Sequence, residues 1–170
     1  KDDMRAVKLY TLAANQGHVV AQFNLGIMYA NGQGVDKDVK RAVELYTLAA
    51  DQGHVEAQYN LGIMYADGQG VDKDEKRAVE LLTLAADQGY AGAQYNLGCM
   101  YADGRGVDKD DKRAVELFTL AADQSLAKAQ YNLGTMYENG QGVKKSKKQK
   151  NGGRKQQHKV INLLLQILLL

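Results

Sequence analysis

An all-α solenoid, an array of stacked helix pairs, is the fold this sequence predicts, and three observations predict it. The first is a repeat: HVEAQYNLGIMYADGQGVDKDEKRAVELLTLAADQG at 54–89 recurs with few changes at 18–53 and at 90–125, a step of 36 residues. Self-similarity at such a period marks a unit too small to bury its own apolar face, which it hides by stacking on its neighbours. The second is composition. Ala, Leu, Gly and Tyr are common, Pro and Trp are absent and only 2 Phe occur, which suits helices rather than sheets. The third is punctuation, since Gly26, Gly62, Gly98 and Gly134 keep the same step through four units.

Taken in order, residues 1–17 form the second helix of a truncated repeat, because KDDMRAVKLYTLAANQG matches KDDKRAVELFTLAADQS beginning at Lys109. The sequence is therefore expected to be a fragment of a longer chain. Each full repeat then follows one grammar. In 54–67, Ala57, Leu61, Met64 and Tyr65 fall at i, i+4, i+7 and i+8, one apolar face of a helix, here called helix A. Gly68, Gln69 and Gly70 end it, and Val71 is expected to plug the gap between helices. Asp74 supplies the N-cap of helix B, as do Asp38 and Asp110, since a carboxylate there accepts from an orphan amide and favours the helix dipole. Ala78, Leu81, Leu82, Ala85 and Ala86 make the buried stripe of helix B, and Gly89 closes it. Gly62 lies inside helix A, at a cost of about 1 kcal/mol against Ala, so it predicts a close approach of the two helices.

The fourth helix A runs over 126–139, and after Val143 the grammar stops. KKSKKQKNGGRKQQHK has no Asp cap and no Ala stripe, and its block of like charge reads as disordered. The run VINLLLQILLL at 160–170 is shorter than the roughly twenty residues of a membrane span. Four readings of this tail stay open: a solvated basic linker, a nuclear-localisation or acidic-membrane patch at KKSKKQK, the start of a transmembrane helix if the chain continues, or a gene-model artefact.

A net charge of +2 hides two unlike regions. Residues 18–125 carry 10 Lys or Arg against 17 Asp or Glu, whereas 144–170 carries 8 basic residues and no acidic one. An acidic array argues against a nucleic-acid face on the repeats. Cys99 is the only cysteine, so no intrachain disulfide can form, and it stands where the other repeats have Ile27, Ile63 and Thr135, as a small apolar substitute. With no Asn-x-Ser/Thr acceptor either, the composition leans to a reducing compartment, and a cytoplasmic location is expected.

At AQYNLGIMYADGQGV, followed by Asp74, Ala78, Leu82, Ala85, Ala86 and Gly89, the chain resembles the Sel1-like repeat family, relatives of the tetratricopeptide repeats. The resemblance covers residues 1–143. It implies a right-handed superhelix of antiparallel helix pairs, with helix A lining a concave groove, and a protein-interaction scaffold or adaptor that binds a peptide or helix there. Cysteine-rich members of the family with β-lactamase-like activity hold their helix pairs with disulfides, and a chain with one Cys is set apart from them. A membrane-tethered adaptor is the other alternative, if the apolar C-terminal run continues.

On the helical wheel Tyr59, Asn60, Ile63 and Asp67 lie away from the Ala57, Leu61, Tyr65 arc. Asn24, Asn60, Asn96 and Asn132 would then form a ladder able to hydrogen-bond the main chain of an extended peptide. Phe23, Tyr59, Tyr95 and Tyr131 would offer flat area for anchoring. The competing structural role gives the Asn to neighbouring backbone and the Tyr to the seam between repeats. His18 and His54 share a phase held by Tyr90 and Leu126 in the next two units, which suits a helix cap and not a catalytic base or ligand. The acidic residues around Asp72 do not supply the ligand register of an EF-hand loop. No Ser/His/Asp arrangement, CxxC, HExxH or phosphate-binding GxxxxGK[ST] occurs, so neither catalytic residues, metal nor cofactor is expected, and the expected partners are other proteins or peptides.

Overall fold

The computed structural model describes residues 2–143. Lys1, the basic segment 144–159 and the apolar run 160–170 lie outside the described residues, and with them every expectation stated for the tail. Eight helices of 13 residues each follow one another among the described residues, with no strand. They are α1 (Asp3–Asn15), α2 (Val19–Asn31), α3 (Val39–Asp51), α4 (Val55–Asp67), α5 (Glu75–Asp87), α6 (Ala91–Asp103), α7 (Asp111–Asp123) and α8 (Ala127–Asn139). Helices α2, α4, α6 and α8 are the A helices, and α1, α3, α5 and α7 the B helices. Each A helix packs most closely on the B helix that follows it, and each B helix packs on the next A helix, so the chain is a superhelical solenoid of antiparallel pairs.

The ends of the helices are set by the residues the spacing predicts. The side chains of Asp38, Asp74 and Asp110 accept from the backbone amides of Arg41, Arg77 and Arg113 at 2.9 to 3.0 Å. Each such cap contributes about 1 kcal/mol. His18 and His54 cap the A helices through Nδ1, which accepts from Ala21 and Ala57 at 3.2 and 3.3 Å. Tyr90 and Leu126, in the same phase, make no such bond. Tyr90 instead packs on Tyr59 at a ring-centroid distance of 4.9 Å, and His54 stacks on Phe23 at 4.4 Å. The position therefore fills the seam in either case, which explains why a tyrosine can replace the histidine.

The core is a chain of small clusters, each joining residues of consecutive repeats. Leu61, Leu82, Leu97, Leu117 and Phe118 are its largest fully buried side chains. Burying each leucine is worth about 1.5–3 kcal/mol. Alanine is the thin layer between them: Ala57, Ala78, Ala85, Ala93, Ala114 and Ala121 have no exposed surface. Val71 is half-buried against the cluster of the preceding repeat, as a plug should be. The exposed pairs Arg77–Glu80 at 2.6 Å and Arg113–Glu116 at 2.9 Å sit in solvent and contribute little.

Gly62 shows why the helices can lie so close. A Cβ there would meet Leu82 Cγ at 3.0 Å and Leu82 Cδ2 at 3.2 Å. Gly62→Val is expected to lower stability by about 1–3 kcal/mol through overpacking. Urea denaturation of the variant with an unchanged midpoint would refute the close-packing account.

Candidate functional site: the seam and open face of the A helices

The A helices carry the residues that sequence reasoning singled out, and the fold places all of them at or beside the seams between repeats. Asn24, Asn60, Asn96 and Asn132 are each half-buried, as are Tyr59 and Tyr95. Two of the four asparagines make side-chain hydrogen bonds across a repeat boundary. Asn96 Nδ2 donates to the Tyr59 hydroxyl at 3.2 Å, across 37 residues of chain and one repeat boundary. Asn132 stands in the same register to Tyr95, 37 residues back, and its Nδ2 donates to Cys99 Sγ at 3.9 Å. Asn60 has Phe23 in that register, where no hydroxyl exists, and it stands near the Tyr46 hydroxyl of helix α3. One substitution thus removes a rung of the ladder.

The packing around these residues has electrostatic consequences. Burial pushes the Tyr46 phenol above its ordinary value, against the nearby Asn60 amide, which favours the ionised form. Burial also raises the Tyr95 phenol, and the neighbouring Cys99 adds to the rise. Cys99 is half-buried and its thiol is pushed up mainly by burial, with the Tyr95 hydrogen bond opposing. A thiol shifted upward is protonated and unreactive at neutral pH, which fits a space-filling role.

A cleft of about 310 Å³ lined by Tyr95, Ala127, Lys128, Tyr131 and Asn132 brings three of the predicted residues together. Tyr131 is 77% exposed and half-buried Asn132 lies beside it, so the cleft offers an aromatic face, an amide and one cation to a chain laid across it. Nothing in this set is arranged to do covalent chemistry. Among the described residues no group of three His, Cys, Asp or Glu side chains could hold a metal ion, and no helix is long and apolar enough to cross a membrane.

Sequence reasoning missed the most deeply buried polar side chains. Gln22, Gln58 and Gln94 are each only 4% exposed. Each donates to a carbonyl at the end of the preceding B helix: Ala14, Ala50 and Ala86, at 3.2 to 3.3 Å. Each then accepts, through Oε1, from the glutamine at the end of its own repeat: Gln52, Gln88 and Gln124, at 2.7 to 2.8 Å. The signal was present as a glutamine directly after the buried alanine (Ala21, Ala57, Ala93) in each full repeat, paired with a second glutamine 30 residues on.

The comparison with known proteins bears on the same periodic unit. A model of the Sel1 repeat matches residues 1–18, 19–54, 55–90, 91–126 and 127–149. The chain belongs to the Sel1 repeat family. Among solved structures, this Sel1 array is similar to a protective antigen of uropathogenic Escherichia coli strains displaying an SLR fold, at 40% identity and a TM-score of 0.83 over 84% of this chain and 31% of that one. It is also similar to a Sel1 repeat protein from Oxalobacter formigenes, at 35% identity and a TM-score of 0.79 over 84% of this chain and 57% of the other. The chain therefore spans about a third and somewhat over half of these two relatives. Cysteine rich protein B of Helicobacter pylori shares the fold at 23% identity, with a TM-score of 0.61 over 78% of this chain and 96% of that one. No curated protein matches the sequence. Sel1 repeat proteins act in general as protein-interaction scaffolds.

Proposed function

We propose that this Sel1 array holds an extended peptide segment of a partner protein along the face of its A helices. The observation that carries the reading is the cleft lined by Tyr95, Tyr131 and Asn132, which among the described residues is open to solvent. The Tyr–Asn pair recurs at 36-residue steps, so side chains of one chemistry are offered at regular intervals, as an extended chain requires. An asparagine that spends one amide hydrogen on a tyrosine hydroxyl keeps its carbonyl oxygen and second hydrogen for a peptide backbone. The rigid spacing of the rungs also keeps the ordering cost of binding low on the scaffold side.

The test is direct. Peptides selected from a random library on the immobilised chain are expected to bind at least about tenfold more weakly when Asn60→Ala, Asn96→Ala and Tyr131→Ala are combined. Circular dichroism of the triple variant checks that the helices persist. Selected peptides that bind wild type and variant equally well would remove the A-helix face from consideration.

A further inference from the structure

The outer faces of the B helices carry a row of side chains that the core does not use. Leu48, Leu84 and Leu120, one on each of α3, α5 and α7, are 49–51% exposed. One exposed leucine is unremarkable on a protein surface, but a row repeated at each step of the array offers apolar groups at regular intervals. Leu84 has a full repeat on either side of its own, so its exposure belongs to the stacked repeat and not to an end of the chain. Two residues earlier, the buried position holds Tyr46, Leu82 and Phe118 in turn, whereas the exposed position is leucine in every unit, Leu12 included. The residue changes where packing constrains it most and stays where packing constrains it least.

The surroundings of the row are electrically polarised. On the N-terminal side of each leucine, Glu44, Glu80 and Glu116 pair with Arg41, Arg77 and Arg113 of the same helix. On the C-terminal side, Asp51, Asp87 and Asp123 end the helices, are exposed, and join no ion pair among the described residues. Asp51 and Asp87 act on Arg77 and Arg113 of the following repeat only through space. The 10 Lys and Arg of 18–125 all stand in the loops that precede the B helices or in the first turn of those helices, so none stands at this end. Lys128, in the first turn of α8, is exposed and makes no ion pair. A carboxylate at a helix C-terminus faces the negative end of the dipole, and α3, α5 and α7 have no basic residue in the last turn to offset it. These three aspartates therefore work against the helices that carry them.

We infer that the outer face of α3, α5 and α7 docks an amphipathic helix of a partner protein, leucine-rich on one face and basic along one flank. Laid across the three B helices, its apolar face covers Leu48, Leu84 and Leu120. Its cations meet Asp51, Asp87 and Asp123 together with the negative ends of three helices. Charge decides between occupants: these carboxylates repel an anionic membrane, and a second copy of the same face would bring like charges together. Helix α1 keeps Leu12 but has Lys8 and Asn15 where the later units have the two carboxylates, so the acidic row begins at α3. The inference is independent of peptide binding on the A-helix face.

The probe is a synthetic amphipathic helix with a leucine face, lysines along one flank and glutamines along the other, and its binding to the whole chain is read by fluorescence anisotropy. Replacing Leu48→Gln, Leu84→Gln and Leu120→Gln together is expected to weaken binding at least about tenfold while the thermal melt stays in place. Asp51→Asn, Asp87→Asn and Asp123→Asn together are expected to weaken it at least about tenfold and yet raise the melting temperature, because the helices lose an opposed charge. Asp36→Asn, Asp72→Asn and Asp108→Asn remove the same charge from exposed loop positions at the other end of the B helices. There it is screened from the docked helix, and binding is expected to stay within about twofold. No binding of the probe by the wild type, or unchanged binding in either of the first two variants, overturns the proposal. An equal loss in the loop variant does so too, since it would mark attraction without a site. A dimer that dissociates on dilution and is abolished by the leucine changes would assign the row to a second copy. Sedimentation with phosphatidylserine vesicles, lost in the same variant, would assign it to a lipid surface; either result overturns the proposal.

Discussion

Gly106→Ala is expected to lower the stability of the array by about 2–5 kcal/mol, the sum of a left-handed backbone forced on an L-residue and an overpacked contact. Gly106 has φ +68 and lies against the first residue of helix α5, one repeat back. A Cβ there would fall inside the van der Waals envelope of the Glu75 carbonyl and 3.0 Å from Glu75 Cβ. Backbone cannot swing aside as a side chain can, so the helix start and the loop would have to separate. The loop is pinned at the same place by Arg105, whose Nε donates to Glu75 Oε1 at 3.0 Å. Lys73, first, and Arg105 hold the Glu75 carboxyl below the usual carboxylate range. Gly104→Ala is the control: its φ is +71, but the nearest atoms to its Cβ all belong to Lys109 of its own repeat, with Cβ at 3.3 Å and the backbone nitrogen at 3.4 Å. Guanidinium titrations of the two variants should differ by the inter-repeat clash, and equal midpoints would refute the claim that this glycine sets how closely repeats stack.

Gln58→Ala is expected to cost about 2–4 kcal/mol. Gln58 Nε2 donates to the Ala50 carbonyl at 3.2 Å, and its Oε1 accepts from Gln88 at 2.8 Å. Truncation opens a cavity, takes one of two donors from the Ala50 carbonyl, which keeps the Gly53 amide at 2.9 Å, and removes the Oε1 acceptor of Gln88. Gln58→Leu restores most of the volume but not the bonds, and is expected to keep about 1–3 kcal/mol of the loss. A leucine variant as stable as wild type, by the same titration, would show that the glutamine is only a filler. The distinction bears on the architecture, because these bonds join the end of one B helix, the next A helix and the end of the next B helix into one ladder.

Much of this was legible in the chain. The helix boundaries followed from Asp38, Asp74 and Asp110 and from the glycines after each helix, because capping and backbone freedom are local properties. Helix B was read residue by residue: Ala78, Leu81, Leu82, Ala85 and Ala86 are all buried. The roles of His18 and His54 as caps followed from their exchange with Tyr90 and Leu126 between units. The asparagine row was legible as a row, but its bonds were not. Whether Asn96 meets a ligand or Tyr59 depends on which helix stands 37 residues away in space, and a helical wheel holds only one helix.

The sequence by itself determined the period, the all-helical class, the caps and the apolar stripe of each helix, since each follows from interactions among residues a few positions apart. Tertiary stacking decided the rest: that Gln22, Gln58 and Gln94 are buried and bonded, that Asn96 meets the Tyr59 hydroxyl across the seam, and that Gly106 must lie against a carbonyl one repeat away. The reason is that a repeat cannot exclude water from its own face, so partners for its polar groups are fixed only when the next unit arrives.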